Sequence, residues 1–321
     1  MALSRLLPRL QPRPEPVSEP VADEQPADVD ESPRLRAVPA PVPARVLTPA
    51  PSADGALMAH VIALANQKGG VAKTTTTLNL GVALREQGKR VLIIDLDPQG
   101  NASTGLGVDQ RPISTFDVLS GHATIMQAMV PTPNVPRLSI VPATIDLMSF
   151  EREASTAGGR HYRLRDCLTA MTAAELPDQP TSYVLIDCPP SLNLLTVNAL
   201  AAADAVLVPL QCEFFALEGL AQLLNTVDEI KVRLNPKLQI HGVVLTMYDT
   251  RTSLSDQVVD DVRRVLGEKV YTTVIPRNVR VAESPSHGKP VLLYDYRCLG
   301  SQAYIQLASE VIERERRMRA A

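Results

Sequence analysis

Two lysines five residues apart frame the segment of this chain with the most evident chemistry. Two glycines follow the first lysine and two threonines follow the second, in the order Lys68, Gly69, Gly70, Val71, Ala72, Lys73, Thr74, Thr75. In a turn of this composition the backbone N–H groups can bind a phosphate chain, the lysine can reach its outer phosphates, and the threonine hydroxyl can bind Mg²⁺. The segment therefore predicts a nucleoside triphosphate site.

The glycine pattern of this segment is unusual for a phosphate-binding loop. Gln67 and Ala72 stand where the ordinary pattern G-x-x-x-x-G-K-[ST] has glycine, and the residues match K-G-G-x-x-K-[ST] instead. An alanine that needed positive φ would cost about 1–2 kcal/mol. Because Ala72 directly precedes the expected helix, we predict that it already has helical φ and ψ and is harmless there.

Lys68 needs a role of its own, since Lys73 is sufficient to bind the β- and γ-phosphates. An ammonium at the start of the loop can turn toward the γ-phosphate held by a facing subunit, as an arginine finger does in trans. The alternative is an ordinary solvated lysine at a strand end. The residues alone leave both possibilities open.

Three carboxylates follow apolar runs that are typical of buried parallel strands. The run 91–94 precedes Asp95 and Asp97, and the run 183–186 precedes Asp187. Ligands of parallel sheets bind at the carboxyl ends of the strands, where these aspartates emerge. We interpret Asp187 as a Walker-B carboxylate that binds Mg²⁺ directly or through water. Of Asp95 and Asp97, one can support the metal site and the other can orient the attacking water.

The elements that position these residues alternate between strand and helix. An apolar run at 60–65 precedes the loop and a helical segment at 78–84 follows it. The pattern predicts an α/β fold of the P-loop NTPase class, with a mostly parallel twisted sheet and helices on both faces. Residues 1–57 hold 12 of the 27 prolines and predict a disordered tail, which makes residues 58–321 the predicted ATPase domain.

With these motifs the chain resembles the ParA-type chromosome and plasmid partition ATPases, the deviant-Walker-A group of P-loop proteins. The resemblance runs from about residue 60 to about residue 314 and includes the segments 211–219 and 275–280. It implies an ATP-sandwich homodimer in which Lys68 crosses the interface and Lys73 binds the phosphates. It also assigns Asp97 to the hydrolytic water, which leaves Asp95 for the metal site.

The same resemblance assigns the magnesium and base contacts. It places Thr74 and Asp187 on Mg²⁺, and it implies that Pro276 and Asn278 lie along the adenine. Related GTPases read guanine with an Asn/Thr-Lys-x-Asp segment, and Met247 stands here where that segment has its lysine. We therefore expect ATP, with Mg²⁺, as the nucleotide. Because no arginine of the same chain is evident for the γ-phosphate, we also expect slow hydrolysis in the absence of a partner.

The distribution of charge indicates a nucleic-acid partner only weakly. The net charge is −3, yet residues 231–321 carry 15 basic and 10 acidic side chains. The resemblance places DNA-contacting arginines at Arg251 and Arg280, and Arg263 and Arg264 can widen that patch. Because the chain has no Trp and few aromatic residues, we expect any DNA binding to be non-specific and to involve the phosphates of a duplex. The resemblance also implies a centromere-binding ParB-type partner that stimulates hydrolysis and release.

Two alternatives from other classes share the nucleotide loop. A membrane-cycling, MinD-like ATPase that positions the division septum needs an amphipathic terminal helix, and the charged end of this chain (313–319) argues against it. An electron-transfer reductase of the nitrogenase iron-protein type needs cysteines in surface loops for a shared cluster. The four cysteines show no metal spacing, which is typical of reduced thiols in the cytoplasm. No stretch could span a bilayer, so we expect no membrane partner. The expected binding to DNA makes the protein nucleoid-associated.

Overall fold

Eight strands form one sheet in the part of the chain that the structure, a computed structural model, describes: residues 59–153, 159–175 and 180–320. The strands are β1 (His60–Leu64), β2 (Val91–Asp95), β3 (Val130–Pro131), β4 (Leu138–Val141), β5 (Tyr183–Asp187), β6 (Ala205–Gln211), β7 (Gln239–Tyr248) and β8 (Val270–Pro276). Their order across the sheet is β3-β4-β2-β5-β1-β6-β7-β8.

Helices connect these strands and cover both faces of the sheet. The helices are α1 (Lys73–Glu86), α2 (Asn101–Gly105), α3 (Thr115–Ser120), α4 (Ile125–Ala128), α5 (Phe150–Glu153), α6 (Arg163–Ala174), α7 (Leu194–Ala202), α8 (Ala216–Arg233), α9 (Ser253–Leu266), α10 (Val279–Glu283), α11 (Val291–Tyr294) and α12 (Leu299–Ala320). Only β3 pairs in the antiparallel direction, against β4.

The alternation of side chains along each strand gives the sheet a core on each face. Ile62 and Leu64 of β1 lie in the core shared with α1 and α12, whereas Ala63 lies in the core shared with α6, α7, α8 and α9. All three side chains are fully buried. A central strand that is buried on both faces holds the segment after its last residue in a fixed position.

The parallel pairing brings the carboxyl ends of three strands together. β5 pairs with β1 on one side and with β2 on the other, so that Asp187 lies opposite Leu64 and also opposite Asp95. Two aspartates at the ends of neighbouring strands therefore lie beside the segment that follows β1. This is the edge of the sheet where parallel α/β folds place their ligands.

The predicted α/β class and the mostly parallel sheet are confirmed. The predicted tail, residues 1–57, lies outside the described residues, and the boundary at 57–58 stays a prediction. Within the described ranges, no helix combines the length and the apolar character needed to cross a membrane.

Candidate nucleotide site

The phosphate loop (residues 67–75) runs from the end of β1 into the first turn of α1. Gly70 has φ 76°, a left-handed conformation that glycine adopts without strain. Ala72 also has a left-handed backbone, with φ 67° and ψ 34°, directly before the helix begins at Lys73. The prediction that Ala72 is already helical is therefore wrong. Alanine carries a cost of about 1–2 kcal/mol in this conformation.

Lys73 turns its side chain back over the phosphate loop. Its Nζ donates a hydrogen bond to the carbonyl oxygen of Lys68 at 3.0 Å, and the residue is 7% exposed. Burial lowers the pKa of Lys73, while the nearby charges of Asp187 and Asp97 raise it in opposition. A cation held at low exposure beside backbone N–H groups is suited to a phosphate anion.

Asp187 is completely buried beneath the loop at the end of β5. Its Oδ1 accepts a hydrogen bond from the Thr77 hydroxyl at 2.9 Å, while Oδ2 has no well-formed hydrogen bond from any described residue. Burial raises its pKa to about 7, with the charge of Asp95 adding to the rise and the neighbouring Thr74 hydroxyl opposing it. A buried carboxylate oxygen that is left open beside a threonine hydroxyl fits the ligand set of Mg²⁺.

Asp95 is equally buried, but its carboxylate is already engaged. Oδ2 accepts hydrogen bonds from the backbone N–H and the hydroxyl of Ser103, at 2.9 and 2.7 Å, and Oδ1 accepts from the Asp97 N–H at 3.3 Å. Burial raises its pKa to about 6, against the opposing effect of the Ser103 hydrogen bonds. Asp95 therefore ties the end of β2 to α2 and lies behind Asp187 as seen from the loop.

Asp97 lies two residues beyond the end of β2, at the same edge of the sheet. It is 8% exposed, and its Oδ1 accepts a hydrogen bond from the Gln99 N–H at 3.0 Å. Its charge acts on both Lys73 and Asp187. The structure thus brings Asp97 into the group of charged side chains around the phosphate loop, where a carboxylate can orient a water molecule.

Lys68 forms an ion pair with Glu213. No functional role is predicted for Glu213 from the sequence. Glu213 follows β6, and the next two residues, Phe214 and Phe215, are 58% and 62% exposed. The Lys68 backbone is held in turn by Asn66, whose Oδ1 accepts from the Lys68 N–H at 3.0 Å. In the sequence, the one sign of a functional role for Glu213 is the pair of phenylalanines that follows it. Nothing in the sequence indicates that Glu213 pairs with Lys68.

Pro276 and Asn278 lie where β8 passes into α10. Pro276 is the last residue of β8, and the Asn278 side chain caps α10 by accepting from the N–H groups of Arg280 and Val281, at 2.9 and 3.4 Å. The residue between them, Arg277, donates its N–H to the carbonyl of Tyr248 at 2.8 Å. The segment predicted to lie along the adenine is therefore anchored to the end of β7.

The arginines predicted to contact DNA are exposed and lie in ion pairs. Arg251 binds the Asp249 carboxylate through Nε and Nη2, at 2.8 and 2.7 Å, with 81% of its side chain exposed. Arg280 lies 3.2 Å from Glu283 and 3.7 Å from Asp295. Both guanidinium groups are exposed to solvent, so each can exchange its carboxylate partner for another anion.

The other two arginines of the predicted patch differ in the groups that their guanidinium nitrogens bind. Arg264 pairs with Asp261 on the surface of α9, while Arg263 donates from Nη2 to the carbonyl of Thr272 at 3.2 Å. The buried face of α9 contains Val258, Val259, Val262 and Leu266, with Val265 half-buried. Arg264 is therefore the more available of the two for an external anion.

The cysteines offer no cluster site in the described part of the chain. No three His, Cys, Asp or Glu side chains there come together in a way that would hold a metal by themselves. Cys188 is buried next to Asp187, and burial raises the pKa of its thiol. This arrangement does not favour the iron–sulfur alternative, whereas Mg²⁺ needs only one or two carboxylates when phosphates supply the remaining oxygens.

Comparison with known proteins agrees with the fold and the phosphate loop described above. The model of the AAA domain family matches residues 59–240. The chromosome partitioning protein ParA of Caulobacter vibrioides is 61% identical over 80% of this chain and 95% of its own length. The sporulation initiation inhibitor protein Soj of Bacillus subtilis is 50% identical over 79% of this chain and 98% of its own length.

A solved structure with bound nucleotide has a similar fold. Cobyrinic acid a,c-diamide synthase from Mycobacterium smegmatis, with bound ADP and magnesium, is 40% identical and aligns with a TM-score of 0.67 over 78% of this chain and 93% of that one. ATP and Mg²⁺ are the cofactors of this chain, and it is an ATPase. Because ParA and Soj match it at 61% and 50% identity over nearly their whole lengths, the chain belongs to the ParA family of deviant-Walker-A partition ATPases.

Proposed function

We propose that the chain segregates DNA through a cycle of ATP binding, dimerisation and hydrolysis. In this cycle the ATP-bound homodimer binds duplex DNA without sequence preference, and a centromere-binding ParB-type partner stimulates hydrolysis and release. The observation that carries the proposal is the pair of lysines on one phosphate loop above the open Oδ2 of Asp187. Lys73 serves the nucleotide of its own chain, which leaves Lys68 for the nucleotide of a partner.

The phosphate loop and the strand ends supply the nucleotide contacts. Backbone N–H groups from Gly69 to Thr75 bind the phosphates together with Lys73. Thr74 and Asp187 hold Mg²⁺, which neutralises charge on the phosphate oxygens when it is bound. Asp95 lies opposite Asp187 on the neighbouring strand and supports the metal site, and the segment with Pro276 and Asn278 lies along the adenine.

Hydrolysis needs a water molecule oriented toward the γ-phosphate. The charge of Asp97 acts on both Lys73 and Asp187, and its Oδ1 accepts a hydrogen bond from the Gln99 N–H. It can accept a hydrogen bond from that water and hold its lone pair toward phosphorus. No arginine of the described chain is placed among these residues, which supports slow hydrolysis until Lys68 of a facing subunit arrives.

The surface around the phosphate loop supports dimerisation through this edge of the sheet. Phe214 and Phe215 expose their rings beside Glu213, and Leu192, after β5, is 40% exposed. Exposed apolar side chains that adjoin a charged site are typical of a face that another protein covers. Burying these rings against a second copy would also carry Lys68 toward the partner's nucleotide.

DNA contact is proposed for Arg251 and Arg280, with Arg264 extending the patch. All three lie at the surface in ion pairs with neighbouring carboxylates, and a phosphate can replace such a carboxylate. The contacts would be to the phosphate backbone, which explains why aromatic stacking residues are not needed. Binding of this kind would place the protein on the nucleoid, with residues 1–57 as a tail outside the ATPase domain 58–321.

Packing of the last helix argues against the membrane-cycling alternative. Val311 and Ile312 of α12 are buried in the core with α1, and the following turns carry Arg314, Arg316 and Arg317. The apolar face of α12 is therefore used inside the protein. An interfacial membrane helix needs such a face to be free.

The proposal is tested most directly through Lys68. Lys68→Ala should bind Mg·ATP with nearly unchanged affinity and fail to form an ATP-dependent dimer in sedimentation velocity. Lys231→Ala, which removes an exposed lysine of α8, is the matched control and should dimerise normally. If Lys68→Ala still dimerises with ATP as the parent chain does, the trans role of Lys68 is wrong.

A further inference from the structure

The end of β7 is hydrogen-bonded to the phosphate loop and to the segments that follow β6 and β8. The fully buried Thr246 hydroxyl donates a hydrogen bond to the carbonyl oxygen of Val71 at 3.1 Å. The Thr246 carbonyl accepts from the Cys212 N–H at 3.1 Å, one residue before Glu213, and the Tyr248 carbonyl accepts from the Arg277 N–H. Three separate chain segments at the site are thus tied to two residues at the end of β7, Thr246 and Tyr248.

Strained backbone flanks the hydrogen bond between Thr246 and Val71 on both sides. Ala72 follows Val71 and has φ 67°, and Met247 follows Thr246 and has φ 52°. Left-handed backbone is unfavourable for a residue other than glycine because Cβ comes close to the carbonyl oxygen. In the described chain, Arg137 is the one further residue of this kind, and it lies before β4, away from the site. Strain of this sort concentrates where a segment switches between two arrangements.

The strained residue Met247 leads directly into the turn that presents Arg251. Two residues later Asp249 accepts from the Arg251 backbone N–H at 3.0 Å and holds the guanidinium through two further hydrogen bonds. The Asp249 carbonyl also accepts from the Thr252 N–H at 3.2 Å. A rotation at Met247 would therefore move Asp249, and Arg251 with it, as one unit.

We propose that Thr246 is a positioning residue that couples nucleotide binding in the phosphate loop to the conformation of the turn 249–252. Phosphates that bind the N–H groups of the loop reorient the peptide between Val71 and Ala72. Because the Thr246 hydroxyl follows the Val71 carbonyl, Met247 changes its backbone conformation and the turn is rearranged. The inference rests on the proposed nucleotide role of the loop, but not on DNA binding.

Threonine is suited to this role by its shape and its single donor. Its β-branched side chain has few rotamers in a strand, so the hydroxyl and the Val71 carbonyl move together rather than separately. Thr246→Val keeps the shape and the burial but removes the donor, while Thr246→Ser keeps the donor. Thr132→Val is the matched control, since Thr132 is also buried and its hydroxyl donates to backbone carbonyls at 2.9 and 3.0 Å, beside β4.

The test measures amide hydrogen exchange of residues 250–253 in the full chain, with and without magnesium and the imido analogue of ATP, and with no DNA. In the parent chain we expect the analogue to change exchange there by about fivefold or more, the range of ordinary allosteric coupling. Thr246→Ser and Thr132→Val should behave like the parent. Thr246→Val should bind the analogue with similar affinity and lose the change.

The outcomes separate the coupling from the proposed function. If the parent chain does not bind the analogue, the proposed function itself fails. If the parent binds it and residues 250–253 do not respond, or if Thr246→Val responds as fully as the parent, the coupling is wrong. If Thr246→Val does not fold, Met247→Gly is the second test, because glycine lets the backbone on its two sides move independently. An undiminished change in hydrogen exchange at residues 250–253 in that variant also overturns the proposal.

Discussion

The Lys68 ammonium forms an ion pair with the Glu213 carboxylate of the same chain. The two residues are 145 positions apart and come together because β6 lies next to β1 in the sheet. In the proposed cycle Lys68 has to leave this partner to reach across a dimer. Glu213 therefore competes with the γ-phosphate for the same cation, and the strength of this pair sets part of the dimerisation equilibrium.

Neutralising Glu213 should favour the dimer. The two side chains are 41% and 29% exposed, so the pair contributes about 0–1 kcal/mol, and Glu213→Gln should lower the ATP-dependent dimer dissociation constant by at most about fivefold. Sedimentation with Mg²⁺ and a non-hydrolysable ATP analogue measures this constant. Glu218→Gln, an exposed acid on α8, controls for net charge. A weaker dimer in Glu213→Gln would mean that Glu213 acts across the interface instead.

Replacing Ala72 by glycine should stabilise the chain. Glycine adopts the left-handed conformation of this position without steric cost, so Ala72→Gly should raise the free energy of unfolding by about 1 kcal/mol. Urea denaturation would show this as a higher midpoint with an unchanged slope. Gly70→Ala, at φ 76° in the same loop, should have the opposite effect. A loss of stability in Ala72→Gly would contradict the left-handed assignment.

Removal of Asp97 should separate binding from hydrolysis. Asp97→Ala keeps Lys73, Thr74 and Asp187 in place, so it should bind Mg·ATP and form the dimer, while the hydrolysis rate falls by roughly 100-fold or more. Single-turnover assays with labelled ATP give this rate, and a DNA pull-down should retain the variant in ATP. Hydrolysis at the parent rate would exclude Asp97 as the residue that orients water.

Loss of Arg251 should change the salt dependence of DNA binding. Each phosphate contact contributes about 0.9 to the slope of log K against log salt, so Arg251→Ala should bind duplex DNA more weakly and flatten the slope by about one contact. Its affinity for ATP should not change. Arg165→Ala is the control variant. Arg165 lies on α6, near the amino ends of β1 and β7 and therefore at the end of the sheet opposite the nucleotide site. An unaltered slope would remove Arg251 from the DNA site.

Acid should destabilise the fold through a histidine remote from the nucleotide. His241 lies buried at the start of β7, facing His60, Tyr271 and Arg314, and burial lowers its pKa to about 3, with His60 and Arg314 contributing. The unfolded chain takes up this proton at about pH 6.5. The contribution of neutral His241 is therefore complete above pH 6.5 and declines as the pH falls toward 3.

The expected size of this effect is about 2 kcal/mol at pH 5. The free energy of unfolding should fall more steeply between pH 6.5 and 5 for the parent chain than for His241→Gln, as measured by urea denaturation at each pH. Other titrating groups are common to both proteins and cancel in the comparison. Parallel curves for the two proteins would show that His241 is not held neutral.

Much of the site could be predicted because its residues sit at the ends of obvious strands. The apolar runs before Asp95 and Asp187 fix two strands, and parallel pairing alone brings their ends together with the phosphate loop. Ala72 was misjudged because a residue just before a helix looks the same in sequence whether its φ is positive or negative. Glu213 and Thr246 were missed since their contacts, with Lys68 and Val71, depend on strand order.

The cross-strand placement of Asp95 and Asp187 ties the survival of the folded chain to its ionic surroundings. Burial is the main cause of their raised pKa values, and the charge of Asp95 adds to the rise at Asp187, so that lost hydration and this repulsion both work against folding at neutral pH. A divalent ion that enters with its nucleotide relieves that repulsion and stabilises the folded state by mass action. Cellular magnesium would then govern how long each molecule resists proteolysis, as well as its enzymatic turnover.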